Sequence, residues 1–485
     1  MSGTFCEYGQ QSGIGASCSV IRDENGNIVA VIDSGISFEK TGEFNFQLSP
    51  AGDYLRGEHV PLIILTHEHA DHSGSMPRLV HEHPEAVVVM SRKVNDALWV
   101  MLKDSLKIQT SDIEDAARKG VTIEPIFNES DLVNFLTGAN NDLLVIEEPG
   151  WYTDIVAGWN IGFYWAGHNP GAISVYMVPP SSRNPIQLTG DVSTQNLDIV
   201  DGVLTAPESF LNGFYELPGL TLITEATNGN RSIIRRPGHS LQEDLAHHIK
   251  QIDRDFFGLI DLTFARGGIV FCPAFANNRI PRLAKKLVQA GYPVWVDGLG
   301  RKMTLIQLPE TEQWLKEGKL NFFSGDYTQG KQEREAADRG ELGPCVILSP
   351  SATLLKGFAV EHAERILPGE KNTLISTGFR FDGSVTKQLF ELESVERGRT
   401  IWLDKFKVGP VSVNVRCKDI RHCDYSGHDY LDSLAERVRL AKPKNLIVHH
   451  CNDDGFQGLE SRVLALPNPP PKIVRGAHMQ EIQLA

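Results

Sequence analysis

The sequence predicts an α/β protein in which one domain is interrupted by a second α/β domain built on a parallel sheet. Three observations predict it. An unbroken apolar run at residues 60–66 stops at a histidine; strand-like and helix-like segments alternate from about Asn230 to Ser376; and short strand-like runs return around one helical stretch near the C-terminus.

The 60–66 run, Val-Pro-Leu-Ile-Ile-Leu-Thr, has no polar alternation, as expected of a strand buried on both faces. Helical patterning follows at 76–83 and a strand-like run at 86–90, with further strands expected at 173–178, 186–189 and 220–224. The next stretch reads as helix 241–257, strand 268–272, helix 281–290 and strand 293–296, then strand 346–348, helix 360–366 and strand 372–376. Strands alternating with helices of this length imply a parallel sheet covered on both sides. Strands at 411–415 and 445–448 flank a helix at 430–441. The expected boundaries are therefore 1–229 and 406–485 for the interrupted domain and 230–405 for the inserted one.

Composition narrows the class. At 41% hydrophobic and 22% charged residues the chain reads as an ordinary soluble enzyme. No apolar stretch is long enough to span a bilayer, so no membrane partner is expected. The first residues lack a basic stretch followed by an apolar run, so no secretory leader is expected. Seven cysteines without a Cys-x-x-Cys pair read as reduced thiols, which points to the cytoplasm. A net charge of −14 weighs against a nucleic-acid partner, although a basic cleft can sit on an acidic body. Phosphate-loop, dinucleotide-binding and Gly-x-Ser-x-Gly patterns are absent.

The most informative stretch is Thr66-His67-Glu68-His69-Ala70-Asp71-His72. Its imidazoles and carboxylate suit zinc and similar borderline ions, and they follow a buried strand, a rigid place from which to aim ligands. On an extended chain His67, His69 and Asp71 share a facing and His72 points elsewhere, so one loop can serve two ions.

This segment resembles the signature of the metallo-β-lactamase superfamily, which implies a four-layer αβ/βα fold and further ligands at later strand ends. Ala166-Gly167-His168 and Thr189-Gly190-Asp191 match two of them. By that resemblance His168 completes a first site with His67 and His69, Asp191 bridges, and Asp71 and His72 hold a second ion. Two cations, zinc or alternatively manganese, about 3.5–4 Å apart then share a water, lower its pKa and present it as hydroxide.

The inserted stretch is similar to the β-CASP module of nucleic-acid-processing members. The resemblance rests on Leu222-Ile223-Thr224-Glu225, on Gly267-Gly268 through Pro273-Ala274-Phe275-Ala276 with Arg279 following, on Ser426-Gly427-His428, and on Leu446-Ile447-Val448-His449. It implies that Glu225 pairs with His428, that His428 protonates the leaving oxygen, and that Asp71 shares in the catalysis. It also implies that Arg279 and Ser426 contact substrate. His449 is expected as the seventh ligand. His450 competes with it, because it stands where the family usually has a glycine; strand alternation would face the two oppositely.

A histidine at that last position is typical of the RNA-processing branch, so the resemblance implies a ribonuclease acting on single-stranded RNA and is compatible with a homo-oligomer. Three other readings stay open: a DNA nuclease or other phosphodiesterase on the same scaffold, a non-catalytic RNA-processing subunit, and a small-molecule metallo-hydrolase. Departures from the family pattern fall on substrate-reading positions, where Ser349-Pro350-Ser351-Ala352-Thr353-Leu354 replaces a Ser-Gly-Met-Leu type loop and Asn228 replaces a tyrosine.

Overall fold

A computed structural model describes residues 3–9, 13–40, 46–48, 55–378, 384–391, 399–405 and 409–484. The chain divides into two compact units. The first comprises residues 1–196, 200–242 and 427–485; the second comprises 197–199 and 243–426.

The first unit holds two seven-stranded sheets. One runs, in spatial order, Glu481–Gln483, Thr4–Glu7, Ser19–Arg22, Ile28–Ile32, Leu62–Ile64, Val87–Ser91 and Asp142–Ile146. The other runs Lys472–Arg475, Asn445–His449, Thr221–Glu225, Ile186–Leu188, Ile173–Val178, Asn160–Trp165 and Gly150–Tyr152. Phe5, Ile21, Ile32 and Ile64 from the first sheet and Phe163, Ile173, Ile223 and Ile447 from the second form one buried cluster, so the sheets face each other. Each such side chain contributes roughly 1.5–3 kcal/mol by leaving water.

Helices close both outer faces. Met76–Glu82, Arg92–Arg118 and Glu129–Thr137 supply Leu79, Leu98 and Phe135 to the core beneath the first sheet. Leu431–Ala441 and Asp453–Leu464 supply Leu434, Val438, Leu459 and Val463 to the core beneath the second. This is the expected four-layer αβ/βα sandwich. All of residues 60–66 except the half-buried Pro61 are buried, in keeping with the unbroken apolarity, but the strand pairs only over Leu62–Ile64. Its chain then leaves the sheet at the histidine run.

The second unit is a six-stranded sheet in the order Asn321–Phe322, Val294–Val296, Val346–Pro350, Val270–Ala274, Thr373–Ser376 and Asp419–His422, parallel throughout. Separate apolar clusters cover its two faces. Leu241–Ala265 extends eight residues beyond the expected helix end, because its apolar face continues through Ile260 into the core. The unit ends later than the expected boundary at 405/406, for a packing reason. Val413, Val415 and Cys417 pack in this unit's core, and Asp419–His422 pairs with Thr373–Ser376. Among the described residues no helix is long and apolar enough to cross a membrane.

Candidate metal centre

His67, His69, Asp71 and His72 follow the Leu62–Ile64 strand, the last two in a single helical turn, Ala70–Ser73. That turn is held from outside. Ser17 N donates to the Asp71 carbonyl at 2.8 Å, and Ser34 N to the His72 carbonyl at 2.8 Å. The approach demands a glycine at Gly35, where a Cβ would fall 1.7 Å from the Asp71 carbonyl oxygen.

Three imidazole nitrogens converge. His67 Nε2 and His168 Nε2 each lie 3.1 Å from His69 Nδ1. The His168 Nδ1 faces the Gly427 carbonyl at 2.8 Å, which fixes its proton there and leaves a lone pair on Nε2. Burial, reinforced by neighbouring imidazoles, pushes His67 and His168 well below the usual histidine range and His69 down to about 4. All three are thus held neutral, with lone pairs available to a cation. Their spacing is close to the roughly 3.3 Å edge of a tetrahedron built on zinc–nitrogen bonds of about 2.0–2.1 Å.

Asp191, beyond the Ile186–Leu188 strand, sits among them. Its Oδ2 lies 3.5 Å from His67 Nε2, 3.4 Å from His72 Nε2 and 3.7 Å from His168 Nε2; its Oδ1 lies 3.4 Å from His450 Nδ1. Neither carboxylate oxygen has a hydrogen-bond partner, although the residue is buried. A buried carboxylate left so costs several kcal/mol unless a cation compensates it. Among the described residues the donors form three groups, His67/His69/His168/Asp191, Asp71/His72/His450 and Asp191/Glu225/His450, the last sharing a residue with each of the others, with the ligand atoms of each group within 4.8 Å of one another. Imidazole nitrogens and carboxylates around orphaned oxygens fit two divalent ions.

The expectation for the seventh ligand needs correcting. His449 ends its strand facing Glu7, with Nδ1 3.4 Å from Glu7 Oε2. His450 faces the cluster instead, with Nε2 3.3 Å from Asp71 Oδ2. The two do point oppositely, but the chain turns left-handed at His450 (φ +48°), and it is this second histidine that is aimed inwards.

Beside the cluster, His428 Nδ1 meets Glu225 Oε1 at 2.9 Å. Glu225 also accepts from Thr227 N at 2.9 Å and Val192 N at 3.3 Å. Burial opposes charge on His428, but Glu225 and Asp191 outweigh it and raise its pKa to about 9. The backbone carbonyl of His428 accepts from Gln195 Nε2 at 3.1 Å, which steadies the loop. Arg279 and Ser426 belong to the second unit, Arg279 at the start of the helix Arg279–Gln289.

Sequence reasoning passed over Asp33. Its Oδ1 accepts Thr66 N at 2.7 Å, while its Oδ2 meets Thr66 Oγ1 at 2.8 Å and His72 Nδ1 at 2.7 Å. It therefore fixes the His72 tautomer that turns Nε2 inwards. The signal was an acid directly after the apolar run Ile28–Ile32. Another His-x-His pair, His81 and His83, lies apart from the cluster at the end of the helix Met76–Glu82, with His83 buried and His81 exposed.

Comparison with known proteins agrees with this geometry. Residues 13–156 match the metallo-β-lactamase superfamily model and residues 280–389 the Beta-Casp domain model. Ribonuclease TTHA0252 of Thermus thermophilus is 23% identical over 424 residues, covering 84% of this chain and 83% of that protein. Transcription termination factor FttA of Methanocaldococcus jannaschii is 24% identical over 414 residues, 81% of this chain; the chain spans 58% of that longer relative. A crystal structure of a protein of unknown function from Enterococcus faecalis V583 shares the fold over the full length of both chains, with a TM-score of 0.52 at 13% identity. The chain therefore carries a metallo-β-lactamase superfamily domain together with a Beta-Casp domain.

Proposed function

We propose that this chain is a metal-dependent nuclease that hydrolyses phosphodiester bonds in RNA. The observation that carries the reading is the buried convergence of neutral imidazoles on Asp191, whose two oxygens no protein donor satisfies. The names of relatives, a ribonuclease and a transcription termination factor, favour RNA over other phosphodiesters.

His67, His69 and His168 would hold one ion, Asp71, His72 and His450 the other, and Asp191 would reach both. Two such ions, zinc or manganese, supply Lewis acidity, a nucleophile at neutral pH and neutralisation of phosphate charge. The protein supplies the rest. Asp33 orients His72, and Thr66 anchors Asp33. Asp71, itself one of the residues that would hold the second ion, would also orient the attacking water. Glu225 holds His428 protonated, so that it can give its proton to the departing sugar oxygen as general acid. Arg279 and Ser426 are proposed to contact the nucleic acid.

The test is cleavage of end-labelled RNA and matched DNA by zinc- or manganese-loaded protein, with Asp71→Ala as control. RNA cleavage that disappears in the variant is the expected result. Inertness on every substrate removes the nuclease reading, and preference for DNA redirects it.

A further inference from the structure

The strand Asn445–His449 delivers two consecutive histidines, and a strand end offers no reason of its own for choosing the second as ligand. Successive side chains face opposite sides, so one face must be selected by something else. The structure shows what holds His449 away. Its ring packs edge-on to Phe5, at 6.3 Å between centroids, and its Nδ1 lies 3.4 Å from Glu7 Oε2.

Glu7 is an unusual residue for its place. It lies on the buried edge of the strand Thr4–Glu7, where an apolar side chain would avoid the cost of desolvating a charge. Its carboxylate is instead built in. Oε1 accepts Cys18 N at 2.8 Å and Gly9 N at 3.1 Å, and Oε2 accepts Ser19 Oγ at 2.7 Å. Gly9 has to be a glycine for this, since a Cβ there would fall 2.6 Å from Glu7 Oε1. Three donors from the neighbouring hairpin thus fix a carboxylate whose remaining exposed edge is turned to His449.

The consequence appears one residue on. His450 adopts φ +48°, a conformation that side-chain-bearing residues rarely take and that persists only where surrounding contacts over-determine it. Thr227 Oγ1 secures it from one side, 3.1 Å from His450 Nδ1. A cavity of about 90 Å³, lined by Glu7, His449, His450 and Arg475, gives the His449 ring space to swing if released.

We propose that Glu7 is a positioning residue for the second metal site. By holding His449 on the far side of the strand end it sets the turn that aims His450 at Asp71 and Asp191. Glu7 touches neither ion nor substrate and acts only through this pair of histidines. The inference rests on the two-ion reading of the site.

Zinc binding to the full chain, followed by chelator competition and metal analysis, separates the possibilities. His450→Ala is expected to keep one ion and lose the other. Glu7→Gln and His449→Leu are expected to weaken the second ion about 10- to 100-fold while the first is held as in the wild type. They should also alter the visible spectrum of the cobalt(II)-substituted protein. His449→Asn, whose amide can still donate to Glu7, is expected to restore binding towards the wild-type level. Since Glu7→Gln could simply fail to fold, the Leu/Asn pair at His449 and circular dichroism of each variant provide an independent comparison. Two ions in the wild type, with undiminished second-site affinity in folded Glu7→Gln and His449→Leu, overturn the inference alone. So does loss of the ion in His449→Ala but not in His450→Ala. Fewer than two ions in the wild type overturn the reading of the site, and the inference falls with it.

Discussion

Each unit buries a knot of histidine and aspartate, and the two knots are opposites. In the second unit His362 lies between Asp338 (Nδ1–Oδ1 2.6 Å) and Asp297 (Nε2–Oδ2 3.1 Å). Arg365 Nε donates to the other oxygen of Asp338 at 2.7 Å, and Arg334 and Gly298 N donate to the other oxygen of Asp297 at 3.2 and 2.7 Å. Every carboxylate oxygen is met by a cation or an N–H. In the first unit, the ion-pair partners of Asp191 among the described residues are all imidazoles, two of which, His67 and His168, are held neutral while His72, His428 and His450 have raised pKa values, and neither of its oxygens has a hydrogen-bond partner. The residue types are the same, so composition does not distinguish a metal centre from a structural ion network. What separates them is whether arginine supplies the positive charge or leaves it to be supplied from outside.

The sharpest way to break this comparison is to remove the orphaned carboxylate. Asp191→Ala should cost several kcal/mol of transition-state stabilisation, about 10³-fold or more in RNA cleavage, and lower zinc content. Next comes His428→Ala, expected to slow cleavage by about 10²- to 10⁴-fold with metal content unchanged. The sign of its pH effect follows from its role. A general acid must carry its proton, so wild-type activity should fall as pH rises towards about 9, earlier with two cations nearby, and the variant should lose that alkaline limb.

Asp33→Asn releases the tautomer of His72 and should weaken metal binding about 10- to 100-fold. Ion binding should also release protons. Burial disfavours charge on His72 and His450, yet Asp191 with Asp33 or Asp71 outweighs it and raises both, so apparent affinity should climb with pH. Calorimetry in buffers of differing ionisation enthalpy reads this directly.

The smallest effect on the metal site is the most telling contrast. His362→Leu should leave zinc content and cleavage unaltered while destabilising the fold by about 3–5 kcal/mol, because two buried carboxylates lose a partner. The pH signs differ within the network. Burial opposes protonation of His362 but Asp338 and Asp297 raise its pKa, so its contribution is complete below about 6.5 and fades as pH rises through the folded value. The Asp297 carboxyl, disfavoured by burial but lowered overall by His362 and Arg334, contributes above about 3.9 and is lost as pH falls. Chemical denaturation across pH should show a plateau between these limits.

What the sequence revealed of the site follows the range of the forces involved. His67, His69, Asp71 and His72 fall within six residues, and His168 and Asp191 sit in short glycine-containing motifs after strands that the resemblance to the superfamily singled out. Asp33 acts from another strand and carries no motif. The choice between His449 and His450 could not be read locally, because alternation says only that the two face apart. The deciding group, Glu7, is more than 400 residues away in sequence. The fold shows the same division. The apolar strands of the β-α-β stretch were legible, whereas the largely polar 27-residue helix Arg92–Arg118 was not, since only a narrow stripe of it, including Val94, Leu98 and Leu102, is buried. The second unit's late boundary depends on the pairing of Asp419–His422 with a distant strand.

The central claim is that two ions replace the charge which arginine supplies in the other unit. Crystals grown with zinc and measured across the zinc absorption edge test it most directly. The account predicts two anomalous peaks per chain, one bounded by His67, His69, His168 and Asp191, the other by Asp71, His72, Asp191 and His450. A featureless map at Asp191, or a peak coordinated by His449 in place of His450, would contradict it.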